Sequence, residues 1–160
     1  MTIVDYKIAA RSARYLLDDI GFSKGRPVLV IGNSAARDGV LDALSTDLGV
    51  QPVSLNIALA DALSESEQKA DLPMTIAGFM PGAGPLLLDR IRLLMLPQLR
   101  VNAVDVLCRV ARRRPVCVSW PGRLESGRLK YAHPDHPECL DEDVSRVAVI
   151  DLSINEGPER

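Results

Sequence analysis

Val28-Leu29-Val30-Ile31-Gly32-Asn33-Ser34-Ala35-Ala36-Arg37-Asp38-Gly39 is the stretch on which the fold turns. Lys24-Gly25-Arg26-Pro27 breaks the chain just before it, and the four apolar residues that follow, three of them β-branched, suit a strand buried on both faces. The run stops at Gly32. After a loop of small and polar residues, Val40, Leu41, Leu44 and Leu48 recur at helical spacing, and Gly49 closes the stripe as a C-terminal stop. A buried strand, a short polar loop and a helix in that order open an α/β domain.

The flanking sequence extends the pattern. Upstream, Ile3, Tyr6, Ala10, Ala13, Leu17 and Ile20 share one face of an N-terminal helix over 1–21, ending at Gly21. Downstream, Val53 to Ile57 predicts a second strand and Ala58 to Lys69 a helix. Asp71 to Pro85, with Pro73, Gly78, Pro81, Gly82, Gly84 and Pro85, predicts loop or broken helix. Leu86-Leu87-Leu88-Asp89 is a third buried run, and Val101, Val104, Leu107, Cys108 and Ala111 form another helical stripe. Val116 to Trp120 predicts strand four, Arg128 to Tyr131 a short strand or hairpin arm, and Val147 to Leu152 a terminal strand before a tail after 153. Strands alternating with helices imply a mostly parallel sheet covered on both faces, with Val28–Ile31 and Leu86–Asp89 central. Ligands in such sheets bind at the carboxyl ends of the strands, which directs attention to Gly32, Asp89 and Trp120.

Length and composition set bounds on this reading. A chain of 160 residues suits one domain, and 47% hydrophobic with 25% charged residues is an ordinary globular balance. Asp5, Lys7, Arg11 and Arg14 interrupt the first seventeen residues, unlike a signal peptide, and no apolar run approaches the roughly 20 residues of a membrane helix. A cytoplasmic protein with no membrane contact is the expectation. The three cysteines form no C-x-x-C pair, and Cys108 and Cys117 lie in apolar stretches as core thiols.

A working phosphate loop, G-x-x-x-x-G-K-[ST], cradles phosphate with backbone N–H groups, neutralises it with Lys and holds magnesium with the hydroxyl. In Gly32-Asn33-Ser34-Ala35-Ala36-Arg37-Asp38-Gly39 the first glycine is present, but Arg37 stands for the second Gly, Asp38 for the Lys and Gly39 for the hydroxyl residue. The exchange of a cation for Asp38 inverts an interaction of roughly 4 kcal/mol at ~4 Å and an effective dielectric of about 20. Phosphate is repelled, although Arg37 offers a neighbouring cation, and Asp38 is read as a helix N-cap. Leu86-Leu87-Leu88-Asp89 has the form of a Walker B strand, whose Asp holds the magnesium shell, and equally that of a strand ended by a capping Asp.

The order of these signals, with Arg112-Arg113-Arg114-Pro115-Val116-Cys117-Val118-Ser119-Trp120-Pro121-Gly122-Arg123 and Leu129-Lys130-Tyr131-Ala132-His133-Pro134-Asp135-His136-Pro137-Glu138, resembles the BrxF-type P-loop proteins of BREX phage-exclusion systems over residues 26 to 152. The likeness lies in a Walker B strand, a basic turn, a strand ending in Trp and Gly, and a Y-A-x-P-x-H-P-E segment. It implies a single three-layer P-loop NTPase-like domain with a mostly parallel central sheet. Two departures stand out: the phosphate loop is degenerate, and Arg92 follows Asp89 where the family tends to place a Glu that polarises water. The resemblance therefore implies a non-catalytic subunit of an anti-phage defence system, needing no cofactor. Its implied partners are a large ATPase, a DNA methyltransferase and an alkaline-phosphatase-like protein.

Two other classes of function stay open. One is a weak nucleotide-binding or nucleotide-hydrolysing ATPase that uses ATP and magnesium through Arg37 and Asp89. The other is a DNA-binding accessory module, because residues 90–130 hold ten Lys/Arg against two acids and are +8 in a chain of net charge −2. Arg112, Arg113, Arg114 and Arg123 are the candidate partner or DNA contacts. His133, Asp135, His136, Glu138 and Cys139 crowd together, but Pro134 and Pro137 interleave them and no second ligand cluster exists, so no metal is expected. Asp141-Glu142-Asp143 reads as a surface turn, and Trp120 as a strand-end residue that seals the core.

Overall fold

The apolar runs form the interior of a parallel sheet in the computed structural model, which describes residues 6–65, 71–82, 84–131 and 140–153. In chain order the elements are α1 (Tyr6–Asp18), α2 (Ile20–Ser23), β1 (Val28–Ile31), α3 (Ser34–Leu48), β2 (Val53–Ser54), α4 (Leu55–Glu65) and α5 (Leu72–Ala77). They continue with β3 (Leu86–Asp89), α6 (Ala103–Arg113), β4 (Val116–Trp120), β5 (Arg123–Glu125), β6 (Arg128–Tyr131), β7 (Leu140–Asp143) and β8 (Ala148–Asp151). Single 3-10 turns lie at Arg92–Met95, Pro97–Leu99 and Val144–Arg146.

The main sheet has the order β2-β3-β4-β1-β8, and every pairing in it is parallel. β1 and β3 are both internal, as their continuous apolar runs require. Alternate residues of each strand serve different layers. Val28, Val30, Leu87, Cys117 and Ala148 pack under α1 and α3 with Ala13, Leu17, Val40 and Leu44. Leu29, Ile31, Leu86, Leu88, Val116, Val118 and Trp120 pack on the opposite face with Leu55, Leu59, Ile76 and the apolar stripe of α6. The chain crosses outward from β1 to β2 through α3 on one face and returns to β3 and β4 through α4, α5 and α6 on the other. That change of face is what right-handed crossovers demand when the direction of travel along a sheet reverses. A three-layer α/β architecture results.

Several boundaries differ from the sequence reading. The second strand is only Val53–Ser54, because the chain turns into α4 at Leu55 and buries Leu55 and Leu59 one turn apart. A short apolar run does not distinguish strand from helix by pattern alone. Inside the stretch read as loop, Asp71 caps α5 by accepting from the Met74 N–H at 3.2 Å, and Pro73 sits in the first turn, where its missing N–H is harmless. The N-terminal helix breaks after Asp18 rather than continuing to Gly21.

Asp141-Glu142-Asp143 is strand rather than turn, the third strand of a small antiparallel sheet β5-β6-β7. Two of its three acids face cations across the ladder, Arg128 opposite Asp143 and Lys130 opposite Asp141, the favourable cross-strand arrangement. This sheet is fastened to the domain by the fully buried Leu129 and by Tyr131. It also closes tightly over Gly122, where an added Cβ would lie 1.9 Å from the Lys130 carbonyl oxygen.

Candidate functional site

With all main-sheet strands parallel, their carboxyl ends lie along one edge. The register aligns Ser54 with Asp89, and the offsets Leu88 to Val118 and Val30 to Ser119 bring Asp89 and Ser119 into the same row. Asp89 and Ser119 each follow by two a residue that packs under α1 and α3, Leu87 and Cys117, so the row Ser54, Asp89, Ser119 faces that helical layer. The Ser54 Oγ is buried with no hydrogen-bond partner among the described residues. This polar row, beneath the start of α3, is where a ligand of such a sheet would sit.

The connection from β1 to α3 is shorter than the sequence suggested. Asn33, not Asp38, is the N-cap: its side chain accepts the Ala36 N–H at 2.8 Å, and α3 begins at Ser34. Of Gly32, Asn33, Ser34, Ala35, Ala36, Arg37, Asp38 and Gly39, only the first two lie outside the helix. Asp38 is an exposed residue within the helix. An N–H engaged in the helical ladder cannot also wrap a phosphate, and the Arg37 N–H already bonds the Asn33 carbonyl at 3.0 Å. The stretch is therefore unlike a phosphate loop in backbone path as well as in side chains.

Arg37 fills the space above the row. Its Nε donates to the Gly32 carbonyl at 3.0 Å and its Nη1 to the Ser119 Oγ at 2.9 Å, so one guanidinium bridges the ends of β1 and β4. Burial pushes its pKa down, Asp38 and Asp89 pull it back up, and Arg92 adds to the depression. A guanidinium stays charged through such a shift, leaving a fixed cation at the carboxyl edge. Asp89 sits nearby, its Oδ1 accepting the N–H of Arg90 at 2.8 Å. Arg90 adopts φ +51°, and its carbonyl accepts the Asn56 N–H at 2.9 Å, while the Asn56 side chain accepts the Leu93 N–H at 2.8 Å. The carboxylate thus helps shape the turn that leaves β3.

The ten cations of residues 90–130 do not make one face. Arg90 and Arg92 are at the carboxyl edge, whereas Arg112 and Arg113 are exposed at the end of α6, on the amino edge. Arg123 pairs with Glu125 at 2.6 Å and Arg128 with Asp141 at 2.5 Å on the small sheet. Arg114 is not a surface contact. It is buried, donating through Nε to Gly84 O at 2.7 Å and through Nη1 to Ala77 O at 3.0 Å and Met80 O at 2.5 Å. The residue leaves α6 with φ −162° and ψ 151°, and its side chain reaches the Ala77 carbonyl at the end of α5, which lacks a helical donor, and two carbonyls of the segment that follows.

Trp120 is fully buried at the end of β4, its Nε1 without a hydrogen-bond partner among the described residues. The His133, Asp135, His136, Glu138 and Cys139 stretch lies outside the described residues. No described helix is long and apolar enough to cross a membrane. Sequence reasoning missed Ser54 and Ser119, whose role appears only in the register, and misplaced the cap. An Asn directly after a strand-ending Gly and three residues before a buried Ala was the available signal. Compared with protein-family models, curated proteins and solved structures, the chain matches none.

Proposed function

We propose that this chain is a non-catalytic, P-loop-like subunit of a BREX or BREX-like anti-phage defence system, working by protein–protein contact. The observation that carries the non-catalytic part is Arg37. A triphosphate would need the loop N–H groups and the space between β1 and β4. The Ala36 and Arg37 N–H groups are already bonded to Asn33, and the guanidinium, bonded to Gly32 O and Ser119 Oγ, occupies the latter. The parallel sheet with β1 between β4 and β8, and the acid at the end of β3, support the P-loop-like part. The defence setting and the ATPase, methyltransferase and phosphatase-like partners rest on the sequence resemblance.

The test is affinity purification of a tagged chain from cells carrying its natural operon, read by quantitative mass spectrometry. Recovery of operon-encoded proteins in fixed ratio supports the reading. Recovery of the chain alone, with magnesium-dependent ATP turnover in the purified material, contradicts it.

A further inference from the structure

Five arginines of this chain are matched with acids. Arg14 bonds Asp47 and Asp18, Arg109 and Arg146 share Asp105, Arg123 bonds Glu125, and Arg128 bonds Asp141. The amino edge of the sheet gathers cations that are not so matched. There Lys24, Arg112 and Arg113 are exposed and make no hydrogen bond or ion pair among the described residues.

Lys24 and Arg112 lie 88 residues apart in the chain (24 to 112), and the parallel pairing of β1 with β4 sets the segments that carry them side by side. The turn at Gly25, φ +80°, lies against Arg112: a Cβ there would sit 3.5 Å from Cγ and 3.8 Å from Nε. Between α5 and α6, Arg112 and Arg113 line a hollow of about 260 Å³ together with Arg109, Asp71 and Pro73. Met74, on the same turn of α5, is 52% exposed.

We infer that this amino-edge hollow is a docking site for an acidic segment of a protein partner, with carboxylates on Lys24, Arg112 and Arg113 and an apolar side chain against Pro73 and Met74. The inference rests on reading the chain as a binding subunit and names the surface it uses. Charge complementarity selects the occupant. Duplex DNA is held through many phosphates, often six to ten for a tight complex, and three unpaired cations beside the Asp71 carboxylate, on a chain of net charge −2, do not supply that. A short acidic peptide needs only a few cations and gains from the exposed apolar rim that a phosphate backbone would leave unused. The competing explanation is that Arg112 and Arg113 merely complement the dipole at the end of α6.

The experiment is a fluorescence-anisotropy titration of the full chain with a short labelled poly-glutamate peptide carrying one leucine. Its glutamine counterpart and a labelled random-sequence DNA duplex serve as comparisons. The expected result is salt-sensitive binding of the glutamate peptide, at least about tenfold tighter than of the glutamine peptide. The triple variant Lys24→Ala, Arg112→Ala, Arg113→Ala is expected to lose that tenfold, while Arg112→Lys with Arg113→Lys keeps most of it. Circular dichroism confirms that both variants fold. Absence of peptide binding, equal binding by the triple variant, or tighter binding of the duplex that is lost in the triple variant would each overturn the inference. If operon proteins still co-purify when the peptide result is negative, the surface is wrong and the binding-subunit reading stands.

Discussion

Replacing Arg114 with Met tests whether the middle of the basic cluster is structural. Met keeps the length and apolar stem of the side chain but removes every donor. Three carbonyls, of Ala77, Met80 and Gly84, then lose their partner in a region where Arg114 itself is only 4% exposed. Hydrogen bonds from a charged donor contribute about 1.5–3 kcal/mol each, and an orphaned buried acceptor costs about 1–3 kcal/mol. The gain from no longer burying a cation, visible as the downward push on the Arg114 pKa, offsets part of this. A net loss of about 2–4 kcal/mol follows, or roughly 5–15 °C in Tm for a domain of this size. Urea denaturation is the assay, with a lower midpoint at unchanged m-value as the signature. Arg114→Lys should recover less than half, because a single ammonium cannot span carbonyls held by two different guanidinium nitrogens. An Arg114→Met midpoint within about 0.5 kcal/mol of the parent would refute the reasoning and return Arg114 to the surface cluster.

Two further outcomes follow from the packing. Gly122→Ala should unseat the small β5-β6-β7 sheet, since its Cβ would meet the Lys130 carbonyl at 1.9 Å. Proteolysis within residues 123–131 at native temperature, with a cost of at least about 1–3 kcal/mol, is the readout, and wild-type resistance would contradict the tight closure. Burial pushes the Cys117 thiol up to about 12 and raises Cys108 as well, Cys108 Sγ lying 3.6 Å from the Arg146 carbonyl. At pH 8 only about 10⁻⁴ of Cys117 would be thiolate, so it should resist iodoacetamide until the chain unfolds. Rapid labelling of Cys117 in the native state, mapped by peptide mass spectrometry, would show that the sheet opens there.

The sequence carried the sheet well and the site poorly, and the reasons are local. Val28–Ile31, Leu86–Leu88 and Val116–Val118 are apolar without alternation because helices cover both faces, and that signature survives in one dimension. Val53–Ile57 looked the same, yet Leu55 and Leu59 find their burial as a helical pair. The start of α3 was hidden because its first buried residue is Ala36, too small to mark a stripe, so the helix became visible only at Val40. Arg37 could be read as a cation near the strand end, but its partner Ser119 lies 82 residues away and becomes a neighbour only through the β1–β4 register. Arg112, Arg113 and Arg114 are indistinguishable in sequence. The helix end sorts them, leaving two exposed and turning the third inward.

Whether the carboxyl edge takes a nucleotide is decided most directly by thermal unfolding of the chain titrated with ATP and magnesium. A ligand at 100 times its dissociation constant would stabilise the fold by about 2.7 kcal/mol. With Arg37 bonded to Gly32 O and Ser119 Oγ and α3 starting at Ser34, the account predicts no shift at millimolar ATP, for the parent and for Asp89→Ala alike. A saturable rise in Tm with ATP that disappears in Asp89→Ala would contradict it, and would mean that Arg37 gives way to phosphate.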